Sequence, residues 1–467
     1  MSEKKSAAKK LEEKLFLNRK NAVETLSVEQ IKECDDFCEG YKDFMNSAKI
    51  EREVVIYSEE LLKKSGFKEY TKGMKLKAGD KIYRNNRGKS ILIATIGTAP
   101  VSDGVRLCAA HIDSPRLDLK QNPLYEDTDM AYFKTHYYGG IKKYQWTTIP
   151  LSLHGVVIKA DGTSVTVNIG EDDKDPVFCV TDLLPHLAAN QMTKPMSKGI
   201  TGEQLNLVIG SRPFKDDEES GSVKLNIMNI LYEKYGITEA DFISAELEAV
   251  PAFKAKDIGF DRSMIGAYGH DDKVCAYPAL IAAAECDSPL HTVVTVLTDK
   301  EEIGSDGNTG LHSAYLEYFI HDLAEALGSD GRTVLSASEC LSADVNAAFD
   351  PNYPEVNEKN NAAYINKGVC ITKYTGARGK SGTSDASAEF TGRIRRLMDA
   401  NEVIWQTGEL GKVDEGGGGT VAAYVADLNV DTIDMGVPVL SMHAPYEIVS
   451  KIDTYMAYKA FKVFIND

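Results

Sequence analysis

The period of the apolar positions changes twice along the chain. Near the amino end, Ile31, Phe37, Tyr41, Phe44 and Met45 follow Ser27-Val28-Glu29-Gln30, a match to a capping box, and together they predict a helix. Apolar runs then predict strands over 90–96 and 105–110, the second delivering His111. From 117 to 250 the period becomes two. Val156-Val157-Ile158-Lys159 and Val165-Thr166-Val167-Asn168-Ile169 alternate on either side of Asp161-Gly162, a dipeptide suited to a tight hairpin turn. The run Asp216-Asp217-Glu218-Glu219 reads as a solvated loop, and a helix over 222–235 is expected to stop at Gly236, which suits a left-handed cap.

Beyond 250, strand-like and helix-like segments alternate. Helices are predicted over 272–286 and 313–327, and strands over 291–298, 333–337, 431–435 and 438–441. Pro278 interrupts the first of these helices, where it removes a hydrogen bond and favours a kink. This succession predicts an α/β fold with a mixed, largely parallel sheet flanked by helices. The chemically suggestive residues skip the stretch between His111 and Asp271, and that stretch is large enough to be a domain. The expected organisation is therefore a discontinuous catalytic domain, 1–116 with 251–467, carrying an inserted β-rich domain at 117–250.

Composition narrows the class of protein. The 467 residues are 43% hydrophobic and 26% charged, the balance of an ordinary globular chain with room for more than one core. A net charge of −17 disfavours nucleic acid and anionic membrane as partners. No apolar stretch reaches the roughly 20 residues a membrane-spanning helix needs, and the amino-terminal segment has mixed charge, so a cytoplasmic protein is expected. The eight cysteines are scattered as buried free thiols would be; Cys34 and Cys38 share a helix face, yet no second Cys/His pair stands at zinc spacing.

The chemistry concentrates where apolar runs end. Glu301 and Glu302 follow the strand-like run 293–298, while His111, Asp271, Asp344 and His443 stand at comparable places. Residues distant in sequence converge at the carboxyl edge of an open parallel sheet, so five metal ligands and one base can be assembled from these six. Each has a plainer reading alone: His111 as a bonded strand-end histidine, Asp271 and Asp272 as helix caps, Asp344 as a turn aspartate, and His443 as a satisfied core histidine. Adjacent carboxylates at Glu301 and Glu302, with Asp299 beside them, repel one another unless cations or protons intervene. Asp113, two positions after His111, is placed to accept the second ring hydrogen and orient that imidazole. Spacing does not separate the roles of the two glutamates, nor choose between Asp271 and Asp272.

The motifs Ala-His-Ile-Asp-Ser-Pro at 110–115, Gly-His-Asp-Asp-Lys at 269–273, Asp-Lys-Glu-Glu-Ile-Gly-Ser at 299–305, Ser-Ala-Asp-Val-Asn at 342–346 and Ser-Met-His-Ala at 441–444 occur in one order. With them the chain resembles the M18 family of metalloaminopeptidases, the family of aspartyl aminopeptidase and vacuolar aminopeptidase I. The resemblance implies a zinc-exopeptidase-like fold and two divalent ions, zinc first, with cobalt or manganese as alternatives. Asp271 would bridge them, His111 and Asp344 completing one set and Glu302 and His443 the other. Glu301 would be the general base activating a water between them, with Asp113 as the supporting catalytic carboxylate. It also brings Lys373, Gly418 and Thr420 toward the substrate and His186 toward a neighbouring subunit's site, and it implies dimers built through the insert and assembled into a homododecamer. Peptides with a free amino terminus, acidic or neutral, are the implied substrates; Arg378 and Lys380 are basic residues that could favour an acidic one. Two rival readings stand beside this one: a related two-metal carboxypeptidase or deacylase, and a catalytically silent, shell-forming protein.

Overall fold

A computed structural model describes residues 6–17, 19–216 and 221–467. Among the described residues the strands form three sheets. The nine-stranded sheet runs, in spatial order, Lys68–Glu69, Lys81–Asn86, Ser90–Thr95, Thr292–Thr298, Val105–His111, Glu339–Ser342, Asp431–Gly436, Val369–Thr372 and Trp405–Thr407. Its four central strands, from Thr292–Thr298 to Asp431–Gly436, are parallel. Antiparallel pairings to Ser90–Thr95 and Val369–Thr372 flank them. The fold is thus α/β, with a mixed sheet covered by helices.

Both faces of this sheet are buried, which is why its central strands read as nearly unbroken apolar runs. Cys108 and Ala110 point into a core shared with the helices Val28–Ser47, His270–Glu285 and Lys451–Ile465. Leu107 and Ala109 point the other way, toward the helices Tyr315–Ala326 and Gly331–Ser336. The capping box at Ser27 and Gln30 forms in both directions. All eight cysteines are free, and Cys34 and Cys38 are packed in the core.

The seven-stranded sheet draws every strand from between Arg116 and Pro251, and all its ladders are antiparallel. Asp161-Gly162 sits in the turn joining Leu151–Ile158 to Ser164–Ile169; Gly162 has φ 84°, and the Asp161 side chain accepts a hydrogen bond from the Thr163 amide at 2.9 Å. The helix Val223–Tyr235 lies on this sheet and ends at Gly236, whose φ of 65° is the left-handed conformation glycine tolerates. Glu218 and Glu219, like Asp217, lie outside the described residues.

Three local expectations change. Residues 331–336 are helix, not strand: the Asp330 side chain caps them by accepting from the Thr333 amide at 3.1 Å, and the strand starts at Glu339. The run Val334-Leu335 is buried either way, and so short an apolar run does not distinguish helix from strand. Pro438–Leu440 belongs to a separate five-stranded sheet with Lys256–Ile258, Met264–Ala267, Glu447–Ser450 and Asn346–Ala347. Finally, Asp271 and Asp272 open the helix His270–Glu285 with non-helical dihedrals, whereas the backbone through Pro278 stays helical. No helix among the described residues is long and apolar enough to cross a membrane.

Candidate metal centre

Three parallel strands deliver four of the acidic or imidazole groups. His111 ends Val105–His111, Glu301 and Glu302 form a single turn after Thr292–Thr298, and Asp344 follows Glu339–Ser342. Asp271 arrives at the start of its helix and His443 from the segment after Pro438–Leu440, where its own φ is 64°. A Cβ at Gly436 would stand 1.7 Å from the Asp344 carbonyl oxygen, so the neighbouring strand can lie this close only because residue 436 has no side chain.

These groups converge. Asp271 presents Oδ1 to His111 Nε2 and Oδ2 to His443 Nε2, each at 3.1 Å. Glu302 Oε2 is 3.4 Å from His443 Nε2, while Glu301 Oε2 and Asp344 Oδ1 are each 3.9 Å from His111 Nε2. One ligand atom each from His111, Glu301 and Asp344, or from His111, Asp271 and Glu302, lies within 4.8 Å of the others. Distance alone therefore leaves the two glutamates undivided.

Both imidazoles are aimed by their other nitrogen. His111 Nδ1 donates to the Asp113 carbonyl at 3.1 Å, and His443 Nδ1 donates to the Gly140 carbonyl at 2.8 Å, leaving each Nε2 directed inward. The Asp113 carboxylate accepts the amides of Glu301 and Glu302, each at 3.1 Å, and the Tyr138 hydroxyl at 2.8 Å. It therefore fixes the turn that carries both glutamates.

Burial and crowding tilt every ionisation. Burial pushes Glu301 up to about 7, with the charges of Asp113 and Asp271 adding to it against His111. Burial likewise holds Glu302 and Asp344 well above the carboxylate range. Burial opposes protonation of His443, but the hydrogen bond to Asp271 and the charge of Glu302 raise it to about 10. Like charges within 4.8 Å of one another repel by about 3 kcal/mol even at an effective dielectric of ~20. Glu302 Oε1 is also buried without a hydrogen-bond partner. A carboxylate and imidazole set with an orphaned oxygen and excess negative charge fits divalent cations, and zinc accepts both donor types.

A cavity of about 590 Å³ opens on these groups, walled also by Gly140, Asn346, Gly418, Thr420 and Met442. The Thr420 hydroxyl is engaged, donating to Asp434 Oδ1 at 2.9 Å. Lys373 is not among the wall residues; its Nζ lies 3.2 Å from Asp385, to which Lys380 also reaches at 2.9 Å. Arg378, in the same loop, and His186, exposed on the turn Pro185–Leu187, are likewise not brought to the cavity of their own chain.

Several residues to which the sequence assigns no role join this assembly. Glu447, almost fully buried, accepts the His443 amide on Oε1 at 2.6 Å and the Asp271 amide on Oε2 at 3.1 Å. Ser114 Oγ donates to the Asp271 carbonyl at 2.8 Å and is met by buried Lys273 Nζ at 2.9 Å. Glu447 had one local sign, a carboxylate opening the apolar strand Glu447–Ser450, four residues after a histidine.

The cavity, its clustered carboxylates and its oriented imidazoles define a metallohydrolase centre at the edge of an α/β sheet. Residues 44–465 match the family described as aminopeptidase I zinc metalloprotease (M18). A probable M18 family aminopeptidase 1 from Clostridium acetobutylicum is 52% identical, covering 97% of this chain and 99% of that protein. The crystal structure of an M18-family aminopeptidase from Thermotoga maritima superposes with a TM-score of 0.92 at 43% identity, over 97% of this chain and 100% of that one. Aminopeptidase I from C. acetobutylicum gives 0.90 at 49% over the same shares. A Saccharomyces cerevisiae protein, mApe1, solved as a dodecamer, shares the fold at 22% identity, with a TM-score of 0.74 over 93% of this chain and 97% of its own. The chain belongs to the M18 family of zinc metalloaminopeptidases: it is a metallohydrolase acting on peptides.

Proposed function

We propose that the protein removes amino-terminal residues, acidic or neutral, from peptides, using two divalent ions held by His111, Asp271, Glu302, Asp344 and His443. The observation carrying this is Asp271, one carboxylate whose two oxygens each lie 3.1 Å from a different imidazole, Oδ1 from His111 and Oδ2 from His443. When bound, the cations supply Lewis acidity toward the scissile carbonyl and lower the pKa of the attacking water. Glu301 accepts the proton and returns it to the leaving amine. Its side chain keeps 17% of its exposure toward the cavity while that of Glu302 keeps 3%, which favours Glu301 as the base and Glu302 as the ligand. Asp113 acts through others, holding His111 and the 301–302 turn. Gly418 and Thr420 stand where a substrate backbone would pass. Lys373 would reach substrate only by exchanging Asp385 for it.

In the same reading, 117–250 is an inserted dimerisation domain within a catalytic domain of 1–116 and 251–467. The strands by which the chain enters and leaves it, Arg116–Asp127 and Ala245–Pro251, are paired neighbours, as an insertion requires. Leu187, Met192 and Met196 are about 70% exposed around His186 (69%, 73% and 69%), an apolar surface suited to a second copy whose active site His186 would approach. The yeast relative's assembly supports a homododecamer as the end state.

Metal-loaded protein assayed on aminoacyl substrates with free and acetylated amines tests the activity. Cleavage confined to free amines, and abolished by chelation, is expected. Equal cleavage of acetylated substrates would return the site to the carboxypeptidase and deacylase class. No cleavage of any substrate would favour the silent assembly protein.

A further inference from the structure

Arg116 opens the strand by which the chain enters the seven-stranded sheet, and it lies directly across the ladder from Tyr138. Its guanidinium carbon is 3.9 Å from the centre of the Tyr138 ring, well within the range of a cation against an aromatic face. Carboxylates hold the rest of the group: Nε is 2.8 Å from Asp118 and 3.0 Å from Glu248, and Nη1 is 3.4 Å from Glu51. With its in-plane donors turned toward acids, the guanidinium has its flat face left for the ring. Arg116, Glu51 and Glu248 are all buried.

The ring so backed carries the hydroxyl that meets Asp113. That hydroxyl donates to Asp113 Oδ2, which also accepts the Glu302 amide, while Oδ1 accepts the Glu301 amide. Burial and the Asp113 charge hold the phenol well above its ordinary pKa, against the opposing charge of Arg116, so the hydroxyl is the donor in this bond. Glu51 starts the helix Glu51–Lys64, whose Val54, Val55 and Leu62 lie in a core of the nine-stranded sheet. Asp118 and Glu248 are paired residues on neighbouring strands of the other sheet. Arg116 therefore takes its place from both sheets at once.

We propose that Arg116 is a positioning residue for the hydrolysis, acting through Tyr138: it fixes the ring whose hydroxyl fixes Asp113, and through Asp113 the turn that carries Glu301 and Glu302. This rests on the reading of Glu301 as base and Glu302 as ligand. Arg116 is not among the residues walling the cavity, so its effect falls on kcat and not on KM. It also neutralises Glu51 and Glu248, and that purely structural role has to be separated from the catalytic one.

A double-mutant cycle makes the separation. Lysine keeps a positive charge among the three acids but has no planar face to cover the ring, so Arg116→Lys is compared with Tyr138→Phe and with the double variant. Each single change should lower kcat roughly fivefold on a free-amine aminoacyl substrate, the share of one hydrogen bond, with KM and metal content unchanged. The double variant should be no slower than Tyr138→Phe, because without the hydroxyl there is nothing left to aim. The thermal midpoint should instead drop by the same amount on Arg116→Lys in either background, since the pairs with Glu51 and Glu248 do not involve the hydroxyl. Hydrogen exchange over 299–305, followed by mass spectrometry on metal-free protein, should speed up in each single variant and no further in the double.

If Arg116→Lys does not fold, Arg116→Met combined with Glu248→Gln removes the buried pair together and enters the same cycle. Losses in kcat that multiply to about 25-fold in the double variant overturn the route through Tyr138. An Arg116→Lys enzyme with wild-type kcat, or with the loss confined to KM, overturns the positioning role. Unimpaired Tyr138→Phe removes the hydroxyl from the chain of contacts, and this inference with it, while the assignment of Glu301 stands or falls separately on Glu301→Gln.

Discussion

In the nine-stranded sheet the central strands are parallel and covered on both faces, and their ends carry His111, Glu301, Glu302 and Asp344. In the seven-stranded sheet every ladder is antiparallel, and what its strand Met130–Tyr138 and the residues after it send to these groups is the Tyr138 hydroxyl, bonded to Asp113, and the Gly140 carbonyl, bonded to His443. The first region supplies charge and the second supplies neutral hydrogen bonds to groups already present. Parallel strand ends all face one way and so can gather like charges that cations or protons must reconcile. An antiparallel sheet approaching from the side meets the cavity with a few polar atoms that set angles. Damage to the two regions should therefore differ in kind.

The sharpest contrast is within the charged set. Glu301→Gln is expected to lower turnover by about 10² to 10⁴-fold, the range for general bases, with metal content by elemental analysis unchanged. His443→Ala should lose metal on dialysis. Equal metal loss in both variants would remove the division of roles. Glu447→Gln comes next: an amide keeps one acceptor oxygen and turns a donor on the other amide, so one of its two bonds, to His443 or to Asp271, is broken. Metal affinity should fall about 10 to 100-fold with the fold intact, and unchanged affinity would show that the two ligand segments need no common clamp.

Tyr138→Phe probes the antiparallel side. Asp113 keeps its two backbone donors, so the expected loss is one hydrogen bond of ~1 kcal/mol, about fivefold in kcat/KM, at constant metal content. A loss as large as that of Glu301→Gln would merge the two regions into one functional unit. The smallest effect concerns their seam. His154 of the seven-stranded sheet lies between Glu53 at 2.7 Å and Glu171 at 3.2 Å, with Lys49 and Lys254 on Glu171. Burial works against its protonation, but the two glutamates outweigh it and raise its pKa above 6.5. The stabilisation is then complete below 6.5 and is lost as pH climbs through the raised value. Urea unfolding should show wild type losing more stability from pH 6 to 9 than His154→Gln; parallel curves would remove the seam from the pH response.

Of the proposed site residues, His111, Glu301, Glu302 and Asp344 were legible in sequence because each ends or follows an apolar run, and a doubly covered parallel sheet writes its strands as such runs. Asp271, at a helix start, and His443, after a strand of the five-stranded sheet, stood out only through their motifs. Asp113 was legible through its two-residue spacing from His111. The orienting atoms were not. Gly140 acts through its carbonyl, which every residue has, and Tyr138 meets a partner 25 residues away, so no local pattern announces them; Glu447 has a local partner in His443, but its bond to Asp271 spans 176 residues. The helix at 331–336 was hidden for the opposite reason: its cue, the Asp330 cap, is a single side chain, while the apolar run it governs suits either state. Lys373 illustrates a third limit, since a charged residue near a site can be spent on a neighbour, here Asp385.

Gly436 gives the site a dependence that no inventory of functional groups contains. It has nothing to donate, accept or coordinate, yet even one methyl group there would collide with the main chain of Asp344. In a saturation screen scored for peptidase activity, position 436 should tolerate substitution as poorly as the proposed ligands. A depleted glycine in such data can therefore mark a place where empty space holds a reactive group in position.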